Sequence, residues 1–246
     1  MGFRAVLFDL GGTLARYRLR PHEIVMEVLR SHGIEVDPGS VREAVRDADE
    51  AYAPLSAKIR RRHKVEFRYA ALPREFWVEY NRYLLRTLGV EPRPELIDDI
   101  IDAFYDTRYV EVYPDAFPVL EALRGLGLRL AIVTNASSFA HKVLRDTGLR
   151  KYFDAVAVSS DVGYEKPHPE IFRRALRELG VEPGEAAHVG DSYEADVEGA
   201  RNAGVVPVLL DRDGTYGEVD CIKISTLYEL SGVLGLPPLG GPTRTG

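Results

Sequence analysis

The sequence predicts an α/β protein with a parallel-sheet core and an inserted α-helical bundle. A short apolar run at residues 3–8 ends abruptly at Asp9 and two glycines, as a buried parallel strand does where it enters a loop. Residues 21–107 then carry apolar stripes of helical period without an intervening strand, which is typical of a bundle. After Pro114, apolar strands alternate with helices, and this alternation indicates βαβ units.

Turn and cap residues set the expected limits of the four helices in the bundle. The first helix ends at Gly33, and Ser40 is expected to cap the second, with Glu43 at the spacing of a capping box. The third helix stops at Gly89, and the fourth begins at Pro94.

The remaining strands are short apolar runs bounded by polar or glycine residues. We expect them at residues 128–133, 155–159, 186–189 and 205–210. The helical block is too long to be a loop, so it is predicted to be a domain of its own. The expected organisation is a core domain of residues 1–14 and 111–236, a helical cap domain of residues 15–110, and a loose C-terminal tail of residues 237–246.

Composition limits the classes of function. The chain has 246 residues, 45% of them apolar and 28% charged, and a net charge of −6, which argues against nucleic acid as a partner. The single cysteine excludes an intramolecular disulfide. No run reaches the roughly 18 apolar residues of a membrane span, so we expect no membrane partner and a cytoplasmic location. Glutamine is absent, and scarcity of thermolabile residues indicates a thermophilic source.

Polar residues follow several of the predicted strands. Ligands of an open parallel sheet bind beyond the carboxyl ends of its strands, so these residues are expected to share one crevice. Taken singly, each could be a helix cap, a turn former or a surface charge. Together they indicate a site. They are Asp9, Thr134, Asn135, Lys166, Asp191 and, beyond the last of these, Asp196.

These residue types suit the transfer of a phosphoryl group. The carboxylates of Asp9 and Asp191 are hard oxygen ligands of the kind that Mg²⁺ binds. The metal and Lys166 would neutralise charge on the phosphoryl group, and a carboxylate can attack phosphorus to give an aspartyl-phosphate. The Thr134 hydroxyl and the Asn135 amide would hold the phosphoryl oxygens.

Four segments in order resemble the motifs of the haloacid dehalogenase-like hydrolase superfamily, and the resemblance covers roughly residues 1–235. They are residues 9–13 (DLGGT), 132–135 (IVTN), 166–169 (KPHP), and 189–192 (VGDS) with Asp196. The resemblance implies a Rossmann-like core with a helical type-1 cap. It also implies a Mg²⁺-dependent phosphatase that acts on a small phosphorylated substrate through an aspartyl-phosphate, as a monomer or homodimer.

The resemblance also assigns roles to individual residues. Asp9 would be the nucleophile, with Lys166 and Thr134 as further catalytic residues. The metal ligands would be Asp9, the Gly11 carbonyl, Asp191 and, weakly or through water, Asp196. Contacts to the phosphate would come from Thr134, Asn135, Lys166 and Gly12.

Gly11 departs from the motif, which normally has an aspartate two residues after the nucleophile. In phosphatases of the superfamily that aspartate is the general acid and base, a role worth about 10²–10⁴-fold in rate. A good leaving group would need no acid, and Tyr52 or His63 of the helical block could supply one.

Three alternatives to a phosphatase remain open at Gly11. A phosphonate hydrolase would need a cap lysine, for which Lys58 and Lys64 are candidates. A haloacid hydrolase usually lacks the Gly190–Asp191 pair. A weakly active or non-catalytic protein would bind a phosphorylated ligand only.

Overall fold

The computed structural model describes residues 2–62 and 72–239. The chain divides into two compact units. The first, which we call the α/β unit, comprises Met1–Arg16 and Glu111–Gly246; the second, the helical unit, comprises Tyr17–Val110.

Eight β-strands occur in the described chain. In chain order they are β1 (Ala5–Phe8), β2 (Ala15–Tyr17), β3 (Val110–Val112), β4 (Arg129–Thr134), β5 (Ala155–Val158), β6 (Ala186–Gly190), β7 (Val206–Leu210) and β8 (Ile222–Ile224). Six of them form one parallel sheet in the order β5-β4-β1-β6-β7-β8, and β2 pairs with β3 in a separate sheet. The predicted α/β fold with a parallel sheet is confirmed.

The α-helices connect these strands or form the helical unit. In chain order they are α1 (Pro21–Ser31), α2 (Pro38–Arg62), α3 (Arg74–Thr87), α4 (Pro94–Ala103), α5 (Ala116–Gly125), α6 (Phe139–Asp146), α7 (Ser159–Val162), α8 (Pro169–Leu179), α9 (Gly199–Ala203) and α10 (Leu230–Leu234), with a π-helical turn at Tyr193–Glu198 before α9. Among the described residues, no helix is long and apolar enough to cross a membrane.

The centre of the sheet is buried on both faces. Every residue of β1 is fully buried, and so are the residues of β4 after Arg129. Strands covered on both faces consist of continuous apolar residues rather than alternating ones, which explains why their positions could be predicted. Helix α8 covers one face with Ile171, Phe172 and Leu176.

The helical unit has its own apolar core. Helices α1 to α4 bury one face each, with Leu29, Leu84 and Ile100 among the side chains enclosed. All four predicted helices are present, but the predicted cap at Ser40 is wrong. Helix α2 begins two residues earlier, and the Asp37 carboxylate accepts a hydrogen bond from the Ser40 backbone N–H at 2.9 Å. Pro38 suits the first helical position because it has no N–H to satisfy.

The chain leaves the α/β unit and returns to it at neighbouring positions. The Tyr113 backbone N–H donates to the Leu14 carbonyl at 2.9 Å. Two residues after Leu14 and two residues before Tyr113, the Arg16 guanidinium donates to the Glu111 carboxylate at 2.6 Å. The two crossing segments are therefore joined on the side of the α/β unit.

Arg212, in the loop after β7, fixes this crossing point. Its guanidinium lies 3.9 Å from the centre of the Tyr113 ring. It donates to both carboxylate oxygens of Asp115 and to the Thr13 carbonyl, each at 2.9 Å. Asp115 also accepts from the Leu227 N–H. This partly buried ion pair, with its further hydrogen bonds, joins the loop after β1, the returning chain and the segment before α10.

The end of the described chain remains packed against the protein. Leu239 is only 3% exposed, whereas residues 237 and 238 are exposed, and the loose tail expected from residue 237 stays a prediction. Residues 240–246 lie outside the described residues.

Candidate active site

The polar residues expected at the strand ends lie at one edge of the sheet. In the register of the sheet, Phe8 pairs with Ile132 of β4 and with Val189 of β6. The residues that follow these positions therefore come together, because all three strands run in the same direction. Carboxylate oxygens of Asp9, Asp191 and Asp196 all lie within 4.8 Å of one another; we call this group the acidic cluster.

Lys166 reaches the acidic cluster from the loop before α8. Its ammonium group donates to Asp9 Oδ1 at 2.6 Å and to Asp196 Oδ1 at 2.7 Å. The lysine side chain is only 3% exposed. A buried ammonium group is stable only where its charge is balanced, and the two carboxylates provide that balance.

Asp196 is held from several directions. Its Oδ1 is 2.8 Å from His188 Nε2, and its Oδ2 accepts a hydrogen bond from the Ser192 N–H at 3.0 Å. A Cβ atom at Gly190 would lie 2.1 Å from the Asp196 carboxyl carbon. The close approach of this carboxylate to β6 therefore requires glycine at position 190.

The cluster carries more negative than positive charge. With all three carboxylates ionised, Lys166 balances only one of them. Burial, followed by repulsion from Asp9 and Asp196, raises the pKa of Asp191 to about 7. Burial also raises the pKa of Asp9, although Lys166 opposes this.

Asp196 and Lys166 behave differently from the other two members. Burial opposes the ionisation of Asp196, but Lys166 and the hydrogen bond from His188 outweigh it and lower the pKa. Burial likewise opposes the charge on Lys166, and the carboxylates of Asp196 and Asp9 outweigh it and raise the pKa. The result is a stable Asp196–Lys166 ion pair beside two carboxylates that lack a full counter-charge.

The two glycines after Asp9 have different environments. Gly12 has φ of 78°, a conformation that strains other residues, and an added Cβ would lie 2.3 Å from Asp191 Oδ2. At Gly11 an added Cβ would have no atom within 4 Å. Glycine is thus required at position 12 for the approach of Asp191, whereas position 11 has room for a side chain.

The structure changes the interpretation of two predicted phosphate ligands. The Gly12 N–H donates to the Ala15 carbonyl at 2.9 Å within its own turn, so it does not point at a ligand. Asn135 Oδ1 accepts from the Lys166 N–H at 2.7 Å, and its Nδ2 donates to the Lys166 carbonyl at 2.9 Å. This amide therefore positions the backbone of Lys166, while Thr134 ends β4 as a buried residue.

The candidates for a replacement acid are Tyr52 and His63, and the candidates for the lysine of a phosphonate hydrolase are Lys58 and Lys64. The Tyr52 hydroxyl donates to the Glu79 carbonyl at 3.0 Å inside the helical unit, and burial raises the pKa of Tyr52. Lys58 is exposed on α2. His63 and Lys64 lie outside the described residues.

His188 is the contributor that sequence reasoning missed. An isolated histidine in an apolar strand such as β6 is typical of a packed core residue, and His188 is indeed fully buried. Its bond to Asp196 depends on the π-helical turn that brings position 196 back to the strand. The signal in the sequence that could have revealed this role was a polar residue two positions before the Gly190–Asp191 pair.

A parallel sheet with an acidic cluster and a buried lysine at one edge defines an α/β protein with a candidate divalent-metal site. The model of the haloacid dehalogenase-like hydrolase family matches residues 3–204. The chain belongs to this family of hydrolases.

Similar proteins include named phosphatases. The chain is 34% identical over 221 residues to glyceraldehyde 3-phosphate phosphatase of Methanopyrus kandleri, which covers 88% of this chain and 87% of the relative. It is 42% identical over 121 residues to phosphoserine phosphatase of Thermus thermophilus, about half of each chain. The crystal structure of a HAD phosphatase from Thermococcus onnurineus superposes with a TM-score of 0.64 at 30% identity, over 95% of this chain and 98% of that one.

Proposed function

We propose that the protein is a phosphatase that hydrolyses a small phosphorylated metabolite, with Asp9 as the covalent nucleophile. The observation that carries the proposal is the contact between Lys166, Asp9 and Asp196 within an acidic cluster at the sheet edge. The similarity to glyceraldehyde 3-phosphate phosphatase over most of both chains supports the same reaction class. The archaeal relative acts on a phosphate ester of a three-carbon compound, and a substrate of similar size is proposed here.

Mg²⁺ is the proposed cofactor, and the residues present fit it. Asp9 and Asp191 offer carboxylate oxygens, and the pKa of each is raised first by burial and further by the neighbouring carboxylates of the acidic cluster. The Gly11 carbonyl is the third proposed protein ligand. Mg²⁺ when bound would supply positive charge to these carboxylates and to the phosphoryl oxygens. Asp196 is near enough to contribute, but its oxygens already accept from Lys166, His188 and Ser192, so we propose that it mainly anchors Lys166.

The reaction would follow two displacements at phosphorus. An oxygen of the Asp9 carboxylate attacks the phosphorus, a P–O bond forms to Asp9, and the bond to the substrate alcohol oxygen breaks. Water then attacks the phosphorus of the aspartyl-phosphate, which releases inorganic phosphate and regenerates the carboxylate. Lys166 stabilises the charge on the transferring group, and Thr134 contributes its hydroxyl at the end of β4.

With glycine at position 11, no side chain at that position can protonate the leaving group. The Tyr52 hydroxyl donates its hydrogen bond to the backbone carbonyl of Glu79 within the helical unit. A leaving group of low pKa departs as an anion and needs no acid. We therefore propose a preference for substrates whose leaving group is a weak base.

The test is a panel of phosphate monoesters, one phosphonate and one 2-haloacid, assayed with and without Mg²⁺. The panel includes p-nitrophenyl phosphate and glyceraldehyde 3-phosphate. Phosphate ester turnover that requires Mg²⁺ and disappears in Asp9→Asn supports the proposal. Asp213→Asn, which changes an exposed aspartate outside the cluster, is the matched control and should keep full activity.

Other outcomes of the panel would replace the proposal. Metal-independent turnover of the haloacid, or turnover of the phosphonate alone, would identify one of the alternative hydrolases. Binding of inorganic phosphate without turnover of any compound would identify a non-catalytic binding protein. A cytoplasmic location, a thermophilic source, and a monomeric or homodimeric state stay predictions, the last measurable by light scattering.

A further inference from the structure

His188 occupies an unusual place for a histidine. It lies in β6, where it pairs with Leu7 of β1 and with Pro207 of β7, and it is 0% exposed. Its ring packs edge-to-face against Phe172, with ring centres 4.9 Å apart. Its backbone neighbours Ala187 and Val189 are apolar and equally buried. The strand therefore accommodates apolar residues, and the histidine differs from them in having ring nitrogens that can form hydrogen bonds.

The two ring nitrogens of His188 have different partners. Nε2 lies 2.8 Å from Asp196 Oδ1, and a carboxylate oxygen can only accept, so Nε2 donates. Nδ1 has no hydrogen-bond partner among the residues that the structure describes. Nε2 is therefore the ring nitrogen through which His188 holds the Asp196 carboxylate.

The hydrogen bond from His188 acts on the oxygen that also receives Lys166. Asp196 Oδ1 accepts from Lys166 Nζ at 2.7 Å and from His188 Nε2 at 2.8 Å, while Oδ2 accepts from the Ser192 N–H. Rotation of the carboxylate would break these contacts together. Lys166 in turn lies 2.6 Å from Asp9 Oδ1. The position of the ammonium group at the nucleophile therefore depends on the orientation of Asp196.

We propose that His188 is a positioning residue of the active site: it fixes the Asp196 carboxylate so that Lys166 stays in contact with Asp9. The inference rests on the proposed function, because it concerns the efficiency of the reaction at Asp9. His188 touches neither Asp9 nor a substrate and acts through Asp196. Groups that orient the residues in direct contact with the reacting atoms typically change activity by about 10–100-fold when removed.

Two substitutions separate the hydrogen bond from the packing. His188→Leu keeps a similar volume and loses the donor, whereas His188→Gln keeps an N–H donor of similar reach. Phe172→Leu is the matched control, because it removes the ring against which His188 packs and breaks no side-chain hydrogen bond. Turnover of p-nitrophenyl phosphate at saturating Mg²⁺ and thermal unfolding are measured for all three and for the parent.

We expect kcat of His188→Leu to fall about 10–100-fold with little change in KM. We expect His188→Gln to recover kcat to within about threefold of the parent. Phe172→Leu should unfold at a lower temperature and keep its kcat. Equal losses of kcat in the leucine and glutamine variants, or a leucine variant with parental kcat, would overturn the proposal.

Crystal structures of the parent and of His188→Leu provide a measurement that does not depend on turnover. The proposal requires that Asp196 turn away from Lys166 beyond hydrogen-bonding distance in the variant. An unchanged contact between these two residues would overturn it. If the parent hydrolyses no phosphate ester, the proposed function fails, and the position of Asp196 still decides the inference about His188.

Discussion

Introducing a carboxyl group at Gly11 tests the most unusual feature of the site. Gly11→Asp restores the residue that the motif of this hydrolase family normally carries two positions after the nucleophile. Gly11 does not adopt a left-handed backbone, and an added Cβ would meet no atom within 4 Å. The substitution is therefore expected to leave the fold intact, in contrast to any side chain at Gly12.

The magnitude of the effect follows from the role of a general acid and from the space around it. A positioned acid contributes about 10²–10⁴-fold, or roughly 3–5 kcal/mol of barrier. The open surroundings of Gly11 impose no steric cost, but they also provide no packing to hold the new side chain. We therefore expect the lower end, about 100-fold in kcat/KM, for an alkyl phosphate. The neighbouring acidic cluster raises the pKa of the introduced carboxyl group, which keeps it protonated and able to donate.

The assay compares leaving groups across matched variants. In the parent, log kcat/KM should fall steeply with the pKa of the leaving alcohol from aryl to alkyl phosphates, and Gly11→Asp should flatten this dependence. Gly11→Asn is the control, since it has nearly the same size and no proton of suitable acidity. A flat dependence in the parent would refute the reasoning, because it would mean that another group already supplies the proton. Equal gains in the Asp and Asn variants would refute it as well.

Four further predictions concern the metal and the stability of the fold. Asp191→Asn should abolish measurable Mg²⁺ binding in calorimetry, and unchanged affinity would contradict the ligand assignment. The unfolding temperature of the metal-free variant should rise, because a partly exposed carboxylate that Asp9 and Asp196 repel is removed. In the parent, the pKa of Asp191 near 7 means that protons compete with Mg²⁺, so affinity should be weaker at pH 6 than at pH 8. Because this pKa is raised above that of the unfolded chain, metal-free stability should fall as pH rises through 7, which is measurable by urea unfolding at several pH values. Arg212→Ala leaves Asp115 buried without its partner and should cost about 3–5 kcal/mol, whereas Arg4→Ala, at an exposed pair, should cost less than about 1 kcal/mol.

The elements that could be predicted are those fixed by apolar pattern. The strand ahead of Asp9 and the strand ahead of Asp191 are buried on both faces, so their apolar runs mark them plainly. Parallel neighbours place their ends at one edge, and this geometry brought Asp9, Asp191 and Lys166 together as the spacing indicated. The parallel topology of the sheet thus made it possible to predict that these separate residues form one cluster.

Contacts that depend on loop conformation could not be predicted. The Asn135 amide was expected at a phosphate and instead pairs with the backbone of Lys166. The Gly12 N–H is used inside its own turn, and Asp37 rather than Ser40 caps α2. Each of these depends on where one backbone N–H points, which residue identity alone does not determine. The bond between His188 and Asp196 likewise required a π-helical turn that the apolar period does not reveal.

The crossing point between the two units has a consequence for how the chain can vary. The Leu14 carbonyl and the Tyr113 N–H are joined by a hydrogen bond, so the α/β unit itself holds the ends of the inserted segment beside each other. Closing a chain between two fixed points costs little more as its length grows, since the entropy of closure rises only logarithmically. We therefore expect the segment between Arg16 and Glu111 to tolerate changes in length, because the contacts of Lys166 with Asp9 and Asp196 are made within the α/β unit.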